Sequence, residues 1–204
     1  MTAVRLFART RRWQLNAFVI FLSACLVLLC GPLAVGLTPG GGGLVRVAMM
    51  IPLIPATLVA SSLQSPLSCQ EVSASRDMTR WSFLHVGGLS LLLLAALLVS
   101  GGFLQPAGPE TNNQGSLSLC RNAAALIGIA MIGYRLLGPR LGWAPALIWV
   151  ILPPQITPRP ENDPVGLFTL ITQPDSSSNA FSWAVLVWCV GFLSAPLSVR
   201  NRLS

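Results

Sequence analysis

The sequence contains no lysine, one histidine and six acidic residues, and only 9% of its residues are charged. An average soluble domain carries roughly 25%, so the main body of this chain is not expected to be water-soluble. One histidine leaves no His/Cys spacing for a metal, and none of the five cysteines forms a CxxC pair. The cysteines read as free thiols that fill space as small apolar groups. No Asp or Glu falls inside an apolar run, so acid–base chemistry at membrane depth has no residues to use. The GxSxG, HExxH and GxxxxGK(S/T) patterns are all absent. The chain is therefore expected not to be an enzyme and to hold no cofactor. Any ATP it depends on would be hydrolysed by another chain. The net charge of +7 comes from thirteen arginines that lie mostly between apolar runs. There they set membrane orientation, and no nucleic acid is expected as a partner.

What is present is a series of six apolar runs, at 17–37, 44–63, 81–104, 117–137, 141–156 and 180–199. The longest have the roughly twenty residues needed to cross about 30 Å of hydrocarbon. They predict an all-α, polytopic membrane protein with six transmembrane helices, residues 1–204 forming one transmembrane domain in the lipid bilayer. A basic start before an apolar run also describes a signal peptide. Here the run is too long for a typical apolar core and the cleavage signal around Pro32 is weak, so a retained span is expected. Glycines 40–43 read as a turn, and Gly138-Pro139-Arg140 as a tight one. Pro52 and Pro55 should bend or unwind the second run.

Orientation follows from the arginines. With six spans and the N-terminus in the cytoplasm, Arg5, Arg9, Arg11, Arg12, Arg76, Arg80, Arg135, Arg140, Arg200 and Arg202 face inward. Arg46, Arg121 and Arg159 face outward, with Glu110, Glu161, Asp163 and Asp175. Ten against three obeys the positive-inside rule, so the expected location is the cell membrane, multi-pass, both termini cytoplasmic.

Three segments between the runs are longer or more patterned than connection requires. Arg5, Arg9 and Arg12 share one helical face, and with Trp13 they fit a basic amphipathic helix on the inner membrane surface. The same charges serve equally to orient the first span. Between runs two and three, Ser68 and Glu71 form an S-x-x-E capping pattern. Val72, Ala74, Arg76, Asp77, Met78 and Arg80 follow, reading as a short cytoplasmic helix that ends at Trp81. A plain solvated connector is the alternative. Outside, Leu167, Phe168 and Leu170 lie in an apolar stretch too short to cross, flanked by Pro164 and Pro174, and predict a re-entrant or interfacial element. Arg121-Asn122, at the outer end of the fourth run, either anchors that region, meets an anionic headgroup or snorkels. His85, beside Arg80 and Trp81, reads as an interfacial or packing residue.

This arrangement resembles the membrane subunit of an ABC-2 type transporter, and more narrowly the small permeases of actinobacteria. The resemblance rests on the basic N-terminal helix, the six spans, the helix between spans two and three and the short outer element. It also rests on Arg121-Asn122, Gly128 and Leu136-Leu137-Gly138-Pro139-Arg140-Leu141 with Trp143. It implies that the 66–80 segment is a coupling helix docking on a cytoplasmic ABC ATPase through Glu71, Arg76, Asp77 and Arg80. It also implies a second membrane subunit, identical or related, in a heteromeric complex. The commonest family pattern places Gly and Leu after the acid, where this chain has Val72-Ser73-Ala74-Ser75.

The implied function is export of a peptide, natural product or lipid-like cargo, including antimicrobial-peptide immunity. A non-transporting integral membrane immunity or assembly protein, binding a peptide, lipid or partner membrane protein, is the alternative.

Overall fold

In an uncharged run of Leu, Val, Ala and Ile, backbone N–H and C=O groups satisfy one another four residues apart, the arrangement a bilayer demands. The computed structural model of the chain describes residues 13–31, 33–36, 44–62, 78–104, 114–151, 173 and 175–200. Among them are the helices α1 (Trp13–Cys30), α2 (Leu53–Ser61), α3 (Met78–Gly102), α4 (Ser116–Leu141), α5 (Ala144–Ile151) and α6 (Ser178–Arg200). A 3-10 turn covers Val47–Met49, and β1 (Ala34–Gly36) pairs antiparallel with β2 (Leu44–Arg46), with Val35 opposite Val45. Among the described residues the fold is helical apart from this small ribbon. Three helical stretches, Trp13–Cys30, Trp81–Gly102 and Ser116–Leu141, are long and apolar enough to cross a membrane.

Several boundaries differ from those expected. The first run stops being helical at Cys30, where Gly31-Pro32 interrupts it, and its last residues form β1. The second run is no continuous helix: β2 and the 3-10 turn come first, and α2 begins only after Pro52. Nine residues of α2 rise about 14 Å. The bend therefore falls where the prolines predict it. Trp13 is the first described residue of α1, and the rest of the expected surface helix lies outside the described residues. Arg80 lies in the first turn of α3, so the expected cytoplasmic helix does not end at Trp81. The fifth run is helical over Ala144–Ile151. Arg5, Arg9, Arg12, Glu71, Arg76, Asp77, Leu167, Phe168 and Leu170 lie outside the described residues.

Helix α4 is the hub, packing against α2, α3, α5 and α6. It buries Leu119, Ala123, Leu126, Ile127 and Ala130, while α3 turns Leu89, Leu93 and Leu97 inward at four-residue spacing. Between α4 and α6 the backbones nearly touch. A side chain at Gly191 would lie 2.6 Å from the Gly128 carbonyl oxygen, and one at Gly128 would strike the Val187 carbonyl. Lipid removes the hydrophobic drive between helices, so such close approach and hydrogen bonding must hold them together. The outer faces stay apolar: Phe18, Phe21 and Leu29 of α1 and Leu84, Leu91 and Val99 of α3 are exposed.

The two ends of the bundle are distinct. At the ribbon end, Gly31 abuts Leu104, Gly101 abuts Ser116, and Gly115 abuts Asp175. At the far end Phe83 of α3 meets Phe192 of α6 with ring centroids 5.1 Å apart, and Ser61 of α2 lies beside Tyr134 of α4. Helices α1 and α3 therefore run toward the ribbon, and α2, α4 and α6 run away from it.

Candidate functional site

The polar residues of the interior collect at the ribbon end. Helix α4 opens with Gly115 as its N-cap in extended conformation, and glycine has no side chain to satisfy the first N–H groups. Asp175, from the segment before α6, supplies the missing acceptor. Its Oδ1 accepts the Gly115 N–H at 3.0 Å and the Ser118 N–H at 2.7 Å. The Ser118 hydroxyl donates to the same oxygen. A carboxylate at a helix N-terminus is doubly favoured, by the unsatisfied donors and by the helix dipole. Gly115 is needed for room here: a Cβ would sit 2.5 Å from Asp175 Oδ2.

One turn further along α4, Arg121 is 2% exposed. Burying a guanidinium is costly unless its donors are engaged. Nη2 donates to the Gln173 carbonyl at 2.8 Å and Nε to Asn122 Oδ1 at 3.4 Å. Asn122 in turn donates to Met49 Sδ at 3.7 Å, tying α4 to the 3-10 turn. Arg46, 5% exposed at the end of β2, donates its backbone N–H to Gln114 Oε1 at 3.5 Å. Its guanidinium lies within the electrostatic reach of Asp175. Ser118 and Arg121, three residues apart on one face, thus hold the backbone and side chain of Gln173 and Asp175. Ser177 then caps α6, its Oγ accepting the Ala180 N–H at 3.4 Å.

Against this layer lies a cavity of about 420 Å³. Leu117 and Arg121 of α4 form one side, and Asp175, Ser176, Ser177, Ser178, Phe181 and Ser182 form the other. It places a cation, a carboxylate and four hydroxyls beside two apolar side chains. No three His, Cys, Asp or Glu side chains converge among the described residues. The four described cysteines, Cys25, Cys30, Cys120 and Cys189, are free thiols.

Of the residues singled out from the sequence for docking, membrane-surface or re-entrant roles, only Trp13 and Arg80 are described. They lie in the first turns of α1 and α3, at the ends of those helices away from the ribbon. Arg121 is buried and engaged, not snorkelling: it anchors the segment before α6 through the Gln173 carbonyl. Gln114, Ser118, Gln173 and Asp175 carried no motif that marked them. An Asp-Ser-Ser-Ser string before an apolar run signals a cap for the helix that follows, and nothing local says that Asp175 caps a different helix. No known protein family, curated protein or solved structure shows significant similarity to the chain.

Proposed function

We propose that this chain is the membrane-spanning subunit of an ABC-2 type exporter, six-spanning with both ends cytoplasmic. It works with a separate cytoplasmic ATPase and a second membrane subunit. The observation that carries the reading is where the 63–77 segment must join. It runs from the last residues of α2 to the start of α3, both at the far end of the bundle. That end also carries Arg80, Arg135, Arg140 and Arg200, against Arg46 and Arg121 at the ribbon end. The arginine excess favours a cytoplasmic far end, which exposes the S-x-x-E segment with Glu71, Arg76 and Asp77 to a soluble motor. ATP-driven closure of the motor would bias the membrane halves between access states through contacts that differ in the two. Spans free of acidic residues suit an amphipathic peptide, natural product or lipid-like cargo better than a small ion.

The test is to purify the tagged chain from its host membrane and identify its companions. A stoichiometric ATPase that is lost, together with export, on Glu71→Arg while membrane insertion persists is the expected outcome. Recovery without any nucleotide-binding chain would replace the exporter with a non-transporting immunity or assembly protein.

A further inference from the structure

The cavity at the ribbon end has a chemistry that neither helix packing nor the exporter reading requires. We propose that it holds the headgroup of a lipid of the phosphatidylethanolamine type, with the phosphate toward Arg121 and the α6 start and the primary ammonium toward Asp175.

Four observations lead there. The first is the sharing of the Asp175 carboxylate. Oδ1 takes all three donors from Gly115 and Ser118, Oδ2 takes none among the described residues, and Asp175 lines the cavity. An acceptor oxygen of an ionised carboxylate is best satisfied by a charged N–H donor. The second is the opposite charge in the same cavity: Arg121 forms part of the wall, and the field of its buried guanidinium acts there whatever its own hydrogen bonds. The positive end of the 23-residue α6 opens on the same space through Ser177 and Ser178. A simple anion would be repelled by Asp175, and a simple cation by Arg121 and the helix end. A zwitterion meets both.

The third observation is size. About 420 Å³ falls within the usual 300–1,000 Å³ of small-molecule sites. The fourth is position. The cavity lies where α4 and α6 begin, so for helices that span a bilayer it stands at headgroup level. Its rims, Leu117 and Phe181, are 50% and 47% exposed, and would lie along the first carbons of acyl chains. Hydrogen bonding selects among zwitterions as well. Ethanolamine brings N–H donors to Oδ2, whereas a trimethylammonium group brings none.

The proposal does not depend on an ATPase partner, and its test needs none. The full chain is reconstituted in nanodiscs containing equal parts phosphatidylethanolamine and phosphatidylcholine, extracted gently and weighed by native mass spectrometry. We expect one retained phosphatidylethanolamine per chain, at about tenfold higher occupancy than phosphatidylcholine, the ratio one charge-assisted hydrogen bond provides. Ser182→Trp should fill the cavity and abolish retention. Ser182 is exposed and its hydroxyl bonds only its own helix at the Ser178 carbonyl, so the latch around Asp175 is untouched and the melting temperature should hold. Equal retention of both lipids by the unmodified chain would overturn the proposal, with no variant involved. So would undiminished retention by Ser182→Trp. Displacement of the lipid by millimolar O-phosphoethanolamine, with equal thermal protection, would reassign the site to a soluble zwitterion.

Discussion

Asp175 accepts the Ser118 backbone N–H at 2.7 Å from a position 57 residues further along the chain. The first turn of α4 is therefore completed by the segment that leads into α6. With Arg121 bound to the Gln173 carbonyl one turn later, the starts of the two helices form one unit, continued downward by the Gly128–Gly191 approach.

Removing the carboxylate tests that unit. Asp175→Ala leaves two backbone N–H donors of α4 without their acceptor, and should cost about 2 kcal/mol, the upper range for a lost cap. Asp175→Asn keeps an acceptor oxygen without the charge and should fall between the two. Heat-induced aggregation of the detergent-solubilised protein reads the order; an Ala variant as stable as the original would refute the cap.

Arginines at the two ends should respond differently. Arg121→Leu removes the guanidinium donors from the Gln173 carbonyl and Asn122 Oδ1, at about 1–3 kcal/mol. Arg135→Leu changes an exposed residue and should stay within about 0.5 kcal/mol. The yield of monodisperse protein in size-exclusion chromatography should drop for the first alone.

The α4–α6 contact should tolerate no side chain. Gly128→Val and Gly191→Val place atoms into the facing backbone, and both should prevent recovery of folded protein. Gly88→Ala has nothing within 4 Å of the new carbon and should be neutral. Recovery of Gly191→Val at normal yield would contradict the helix approach.

Orientation is open to direct labelling. Single cysteines placed in 40–43, 105–113 or 157–172 should react with an impermeant maleimide from outside the cell, and cysteines in 63–77 only after permeabilisation. Reaction of an outer-loop cysteine from the cytoplasmic side alone would reverse the proposed topology.

Much of the helical framework was legible because it depends on local quantities. Run length and apolar composition mark α1, α3 and α4. Pro52 marks the break before α2, and Gly138, with φ of 76°, marks the kink inside α4 where Gly-Pro predicts a turn. The ribbon was hidden for the same reason the helices were visible. Ala34–Gly36 and Leu44–Arg46 are apolar flanks of apolar runs, and in three residues no periodicity separates strand from helix.

The sequence by itself determined that this chain belongs in a membrane, since burying so few charges and so many apolar side chains anywhere else has no solvent to match. It also determined where helices break, because proline and glycine act on their own backbone. Only the tertiary structure decided what Arg121 and Asp175 do. Their partners are 52 to 60 residues distant, and a hydrogen bond at that separation exists only once α4 and α6 have packed. The same packing sets Asp175 and Arg121 around one cavity, a juxtaposition of charges that residue order does not encode locally.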